Sequence, residues 1–245
     1  MKQCEHAIRG VIERCSEAIK DVAHFYTEDF VNYTGMIGGI PCTEIVAGFV
    51  IRHLDFFDRI PMITREKSYY SGHMGAFNPG SPRKEEIDAI RMFNQCKDNP
   101  VATIGDAGHI IDYQIPIKNK RSDKAGKIDL LSEDEDTVYA LELKQENSDE
   151  TLLRCVLEGY TYMKTVNKDK LFDDYGIDCN KSFKTAPLIY EDSQPGVDYY
   201  NILNGNRPNL RELMKKLNVS LFFLSKEGDV FHSSEMNFCL ENNNE

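Results

Sequence analysis

Hydrophobic positions along this chain recur first at helical spacing, then at strand spacing, then alternate between the two. Ile8, Val11, Ile12, Cys15, Ala18, Ile19 and Val22 predict a first helix that continues toward Phe25. Tyr33-Thr34-Gly35 to Gly39 breaks the pattern, with Pro41 as punctuation. Thr43 can then cap a second helix carrying Ile45, Val46, Phe49, Val50, Leu54 and Phe57. From Pro61 to Pro82 the density of Gly and Pro predicts a loop. Beside a nucleic-acid site its Tyr69, Tyr70 or Phe77 could stack bases; otherwise it is a plain connector. A helix is expected from about Pro82 to Gln95, packing through Ile87, Ile90, Met92 and Phe93.

The period then falls to two. A strand is predicted over His109 to Ile117, with Pro116 marking an edge or a strand end. Two more strands, Gly126–Leu131 and Thr137–Lys144, flank Ser132-Glu133-Asp134-Glu135-Asp136, which is too polar to bury and reads as a hairpin loop. A helix follows from near Ser148 or Asp149 to about Val166, capped by Asn147 or Ser148, with Leu152, Leu153, Val156, Leu157, Tyr160 and Met163 as its apolar stripe. Ala186–Tyr190 predicts a strand, 207–217 a helix with Pro208 in its first turn, and Val219–Leu224 a buried strand. A short last hairpin turns across Glu227-Gly228-Asp229.

The apolar hairpin carries three charges that folding does not require: Asp129, Glu142 and Lys144. Such groups are rarely buried unless paired or metal-bound. Alternation puts Glu142 and Lys144 on one face with Ala140 and Val138, and Tyr139, Leu141 and Leu143 on the other. With a four-residue loop from Glu133 to Asp136, Ser132 pairs with Thr137, Asp129 falls opposite Ala140, and Asp129 lies diagonal to Glu142 on the same face. A loop one residue longer, without a bulge, would send Asp129 to the wrong face. Two carboxylates and an amine on one strand pair suit metal-assisted phosphodiester hydrolysis, with Mg²⁺ or Mn²⁺ as hard cations for oxygen ligands. The plain alternative is a surface Glu–Lys pair.

Asp129 followed by Glu142-Leu143-Lys144 resembles the catalytic signature of the PD-(D/E)XK nuclease superfamily, the restriction-endonuclease-like fold. Ile128 stands where the nominal proline would be. The resemblance implies an α/β core of order αβββαβ, a mixed sheet flanked by helices, over roughly residues 83–225. It implies a divalent-metal-dependent nuclease acting on DNA rather than RNA. Asp129 and Glu142 would hold the metal, with the Leu143 carbonyl as a further ligand, and Lys144 would act on the attacking water. Relatives carry a Gln-x-x-x-Tyr element on the next helix, and Glu158-Gly159-Tyr160-Thr161-Tyr162 is similar, with Glu for Gln. Glu158 is then either an extra metal or water contact or a partner of Arg154, since Arg154, Glu158 and Tyr162 share a helix face. The helix before the sheet often adds an acid near the metal; Glu85 and Glu86 are the candidates, with Glu86 preferred for lying one turn from Ile90. A non-catalytic member binding nucleic acid or a protein partner is the alternative.

Composition changes the picture little. A chain of 245 residues can hold a sizeable core, here divided into a helical N-terminal extension, 1–80, and the nuclease-like core, 81–245. The net charge of −11 argues against a general nucleic-acid coat. Basic residues cluster at Lys118, Lys120, Arg121, Lys124 and Lys127, at Lys164, Lys168 and Lys170, and at Arg211, Lys215 and Lys216, where each group tracks phosphates or forms a solvated face. Seven cysteines without a C-x-x-C pair support neither a disulfide framework nor a zinc ribbon. His109 lies at the start of a strand, near the site or purely structural. No apolar run approaches membrane-spanning length and the N-terminus lacks a signal-peptide core, so a cytoplasmic protein without membrane partners is expected, with homo-oligomerisation left open.

Overall fold

The computed structural model describes residues 2–120 and 125–237. Arg121 and Lys124 of the first basic cluster, Cys239 and the polar tail lie outside the described residues.

Six strands form one mixed sheet in sequential order: β3 (His109–Pro116), β4 (Lys127–Glu133), β5 (Thr137–Leu143), β6 (Ser182–Ile189), β7 (Phe222–Glu227) and β8 (Val230–Glu235). A two-residue ribbon, β1 (Met36–Ile37) with β2 (Ile40–Pro41), stands apart. The β3–β4, β4–β5 and β7–β8 pairs are antiparallel, while β5–β6 and β6–β7 are parallel. Parallel neighbours need long crossovers. Helices α4 (Leu152–Thr165) and α5 (Lys168–Tyr175) supply the first, and α6 (Gln194–Leu203) and α7 (Pro208–Leu217) the second. As Pro116 foretold, β3 is an edge strand that ends at that residue.

Central strand β5 is buried along its whole length because both faces of the sheet are covered. Tyr139, Leu141 and Leu143 pack with Ile90, Met92 and Phe93 of α3 (Lys84–Cys96). Val138 and Ala140 pack into a second core, with Leu152, Leu153 and Val156 of α4 and with α1 (Lys2–Ala18) and α2 (Cys42–Arg52). The N-terminal helices thus share one continuous core with α4. The first of them stops at Ala18, and the apolar pattern beyond it becomes a 3₁₀ turn over Val22–Thr27.

Glu44 fastens the N-terminal segment to the other end of the chain. The N-cap residue of α7, Arg207, makes no side-chain capping bond. Instead Asn209 and Leu210 each donate a backbone N–H to the Glu44 carboxylate, both at 2.9 Å. A helix N-terminus favours an anion there. Burial pushes the Glu44 carboxyl up, and those two amides offset only part of the rise. We expect Glu44→Ala to cost about 2 kcal/mol, since it strips two buried amides at once. Calorimetry should place the midpoint roughly 4–8 °C lower; an unchanged midpoint would remove the cap from this account.

Three local expectations are corrected. Helix α4 is capped by Thr151, whose Oγ1 accepts from Arg154 N, rather than by Asn147 or Ser148. Tyr69 is no base-stacking residue: it is fully buried, and its hydroxyl donates to Ile63 O at 2.9 Å. Phe77 packs beneath the Arg91 guanidinium, leaving Tyr70 as the exposed ring of the three. Helices α5 and α6 have no counterpart in the pattern reading, although their caps are orthodox. Asn167 caps α5 and Gly176 ends it in the left-handed region at φ 66°, and Ser193 caps α6.

At the open edge, β3 carries a bulge between Ile110 and Asp112. Asp112 is 1 % exposed and accepts from Tyr175 Oη (2.6 Å), Tyr113 N (2.8 Å) and His73 Nδ1 (2.8 Å). The same loop that buries Tyr69 is anchored here. Asp112→Ala should destabilise the protein by about 3 kcal/mol, because three donors lose their acceptor in a dry site. A denaturant midpoint within a tenth of wild type would refute that anchoring.

Candidate functional site

The hairpin turn is tighter than the polar run suggests. Leu130 pairs with Leu141, Leu131 with Ala140, Ser132 with Tyr139 and Glu133 with Val138. Asp134 N–H donates to Thr137 O (2.9 Å), and its own Oδ1 accepts from Asp136 N and Thr137 N. Glu135 and Asp136 are therefore the turn. The expected four-residue loop is wrong by two residues, and the pairing of Ser132 with Thr137 with it. An offset of two keeps the paired residues, Leu130 to Glu133, on their faces. The ladder ends at Leu130 and Leu141, one residue short of Asp129 and Glu142.

Here β4 leaves the regular pleat. Ile128 packs in the α4-side core whereas Leu130 packs in the α3-side core, although residues two apart on a strand normally share a face. Across from Asp129, Gln114 of β3 has φ 50°, and its neighbours Tyr113 and Ile115 also fall into opposite cores. Both strands thus turn over at one level. Asp129 is held there by two donors: Gln114 Nε2 to Oδ1 (3.0 Å) and Leu143 N–H to Oδ2 (3.1 Å).

Lys144 follows β5 and is the hub of the charges. Its Nζ lies 2.8 Å from Glu142, 2.7 Å from Glu150 and 3.6 Å from Glu158. Arg154 Nε lies 3.2 Å from Glu150 and 3.9 Å from Glu158. Glu158 therefore partners Arg154 and faces Lys144 as well. Helix α4 can approach this closely because of Gly159: a Cβ there would meet Thr185 Oγ1 at 2.4 Å and the Glu142 Cβ at 3.5 Å. One turn on, Tyr162 Oη donates to Glu158 Oε1 (2.8 Å).

From α3 it is Glu85, not Glu86, that turns toward this cluster. Glu86 pairs outward with Arg83 at 3.2 Å. Glu85 is half-buried within reach of the Gln145 backbone N–H, and it feels Lys144, Glu150 and Glu158. His109 Nδ1 donates to Ala102 O (2.8 Å) at the far end of β3, away from Asp129. Cys155 is fully buried, and its thiol is pushed well above the usual range, so it is an inert neighbour of Lys144. Two members of the second basic group pair with acids of the chain itself, Lys164 with Asp58 at the surface and Lys170 with Asp174.

Sequence reasoning missed two contributors. Glu150 sits in the loop that the pattern assigned to a helical first turn. Tyr26, from the 3₁₀ turn near the N-terminus, places its hydroxyl 3.1 Å from that of Tyr162. No motif marks either one.

Among the described residues, Glu85, Asp129, Glu142, Glu150 and Glu158 share two cationic partners, Lys144 and Arg154. Burial and the excess of acid raise the carboxyl pKa values. Burial raises Asp129 to about 7, with Lys144 opposing and Glu85 adding to the rise. Burial also raises Glu142, and Glu158 and Asp129 push it further while Lys144 opposes. Burial alone would lower Lys144, but Glu142 and the other acids more than reverse this, so the amine stays cationic. Among the described residues no three His, Cys, Asp or Glu side chains stand arranged to hold a metal ion. Glu142 is turned onto Lys144 instead. The chemistry of the set fits a hard divalent cation all the same, since it comprises closely spaced carboxylates, one buried and four partly buried, short of positive charge.

No protein-family model, no curated protein and no solved structure matches the chain. Among the described residues no helix is long and apolar enough to cross a membrane.

Proposed function

We propose that this chain is a divalent-metal-dependent nuclease of the PD-(D/E)XK type, hydrolysing phosphodiester bonds on a restriction-endonuclease-like core. One observation carries the reading. Where the pleat breaks, Asp129 accepts from the Leu143 N–H, which brings its carboxylate close enough to act on that of Glu142 on the neighbouring strand, with the Lys144 amine 2.8 Å from Glu142. The run α3, β3–β5, α4, α5, β6 supports it, being the helix-and-strand order expected of such a core with one added helix, α5.

Asp129, Glu142 and the Leu143 carbonyl would hold Mg²⁺ or Mn²⁺, with Glu85 as the α3 acid in place of Glu86. The ion would polarise the phosphate and lower the pKa of a bound water. Gln114 and the Leu143 N–H fix the Asp129 carboxylate in one orientation. Lys144 keeps its proton, so it is no general base. It donates hydrogen bonds to the attacking water or stabilises charge that develops on phosphorus. Glu150 and Glu158 hold the amine in place, and Arg154 balances them. DNA as substrate rests on likeness to the superfamily alone.

A non-catalytic nucleic-acid- or protein-binding role is the second reading. It is favoured by the burial of Lys144, 6 % exposed and already engaged by two acids. Cleavage of single- and double-stranded DNA and RNA in Mg²⁺ or Mn²⁺ separates the two. The nuclease reading expects metal-dependent products. Folded protein that neither cleaves any of the four nor binds Mn²⁺ by calorimetry would leave the binding role.

A further inference from the structure

We infer that Tyr26 is a positioning residue of the cutting site, holding the two acids that frame Lys144 so that one proton of the amine stays free for the reaction. This rests on the nuclease reading. Tyr26 lies in the N-terminal 3₁₀ turn, far from the signature hairpin in sequence, and it is buried. It reaches the charged cluster by two routes, its hydroxyl and its ring.

The hydroxyl leads to Glu158. Tyr162 Oη donates its one proton to Glu158 Oε1 (2.8 Å), so in the 3.1 Å contact between the two hydroxyls Tyr26 is the donor. The rings meet edge to face at 5.7 Å and 79°, and a Cβ on Gly126 would meet the Tyr162 hydroxyl at 2.1 Å. The Tyr162 hydroxyl is thus set between Tyr26, Gly126 and Glu158. The ring leads to Glu150. The Arg154 guanidinium carbon lies 5.9 Å from the Tyr26 ring centroid, within cation–π reach, and Arg154 Nε lies 3.2 Å from Glu150 Oε1.

Those two acids decide what Lys144 can donate. An ammonium group has three protons. Glu142 and Glu150 stand at 2.8 and 2.7 Å, close enough to engage two of them. Glu158 Oε2 stands at 3.6 Å, beyond hydrogen-bonding distance. It attracts the amine without taking the third proton, which Lys144 can offer to the attacking water or to charge on phosphorus. The tether on Glu158 Oε1 keeps that gap open. A carboxylate released by Tyr162 would close on Lys144, because opposite charges this near attract strongly in a partly buried site. The Tyr26 hydroxyl polarises the Tyr162 O–H and tightens its hold on Glu158. Packing alone does not call for that hydroxyl. Phenylalanine would fill the same space beside Ala23, Ile63 and Ala125, and among the described contacts the hydroxyl has one partner, Tyr162.

The test is a double-mutant cycle on cleavage. Tyr26→Phe, Tyr162→Phe and the pair are compared with wild type in Mn²⁺, on whichever of the four nucleic acids is cut best, and circular dichroism checks each fold. Tyr26→Phe keeps the ring and its Arg154 contact. We expect it to lower kcat about fivefold and to leave KM unchanged. Tyr162→Phe removes a bond to a charged acceptor and should lower kcat about 30-fold. The pair should lose no more than Tyr162→Phe alone, because the Tyr26 hydroxyl acts through Tyr162. A hydroxyl that only stabilised the fold would lower the melting temperature and leave kcat where it was. Wild-type kcat in Tyr26→Phe, a loss confined to KM, or losses that multiply to about 150-fold in the pair would overturn the inference and leave the nuclease reading standing. If Tyr162→Phe does not fold, the kcat-against-KM result for Tyr26→Phe decides by itself. Wild type that cuts none of the four nucleic acids would overturn both.

Discussion

Lys144→Gln should abolish metal-dependent cleavage, lowering single-turnover rates by about 10³-fold, while leaving Mn²⁺ binding intact or tighter. The two halves of this result have different causes. A preorganised donor aimed at charge developing in the transition state is typically worth 10²–10³ in rate. Lys144 is the one cation within 3 Å of Glu142 among the described contacts. The same amine also competes for the Glu142 carboxylate that the metal would use. Removing it frees a ligand, and an increase in Mn²⁺ affinity of about fivefold is expected by calorimetry. Glu142→Gln should show the reverse pattern, with affinity and rate lost together. If Lys144→Gln cleaves within about threefold of wild type, Lys144 has no part in the chemistry and the non-catalytic reading gains.

The metal-free protein should become less stable between pH 5 and pH 8, and Asp129→Asn should cancel most of that loss. The folded-state pKa of Asp129 is raised to about 7, above an unfolded value near ~3.9. Folded protein therefore retains a proton that the unfolded chain releases. The contribution is fully present below about pH 4 and is lost as pH rises through 7. Glu142 is displaced in the same direction. Asparagine keeps the shape and remains neutral, so at pH 8 the variant should melt roughly 4–8 °C higher than wild type, about 2 kcal/mol after allowing for solvent screening. Below about pH 4 the two should nearly coincide. Mg²⁺ should lift wild type at pH 8 through mass action and leave Asp129→Asn unmoved. Parallel melting curves for the two proteins from pH 5 to 8 would show that Asp129 does not carry this charge burden.

Much of this site is legible in the sequence because acids inside apolar strands stand out, and strand alternation fixes their faces. Asp129, Glu142 and Lys144 are found by that argument, and Glu158 and Tyr162 by their resemblance to a Gln-x-x-x-Tyr element, with helical spacing placing them on one face. The turn length is misread because Ser132 and Glu133 look like loop residues yet remain in the ladder as β4 runs on to Glu133. Being even, the error keeps the faces of Leu130 to Glu133, whereas Asp129 sits where the pleat turns over and is placed by Gln114 and the Leu143 N–H. Glu85 and Glu86 differ by whether Arg83 draws one of them outward, a contact that periodicity does not carry. Asp149 and Glu150 resemble a helical first turn, but the chain delays its helix until Thr151, which leaves Glu150 to reach Lys144. Tyr26 is 136 residues from Tyr162 and bears no local signature; only tertiary packing brings the two together.

The Glu44 cap has a consequence for biosynthesis. Its acceptor oxygens are made 165 and 166 residues before the amides they satisfy. At translation speeds of about 5–20 residues per second, the second helix waits on the order of 10–30 s for the segment that completes it. During that interval Glu44 belongs in water and the apolar face around it has no permanent partner. The chain should therefore reach its native state late and in one cooperative step as α7 emerges. A nascent chain stalled before Asn209 should be the species that a holdase chaperone captures.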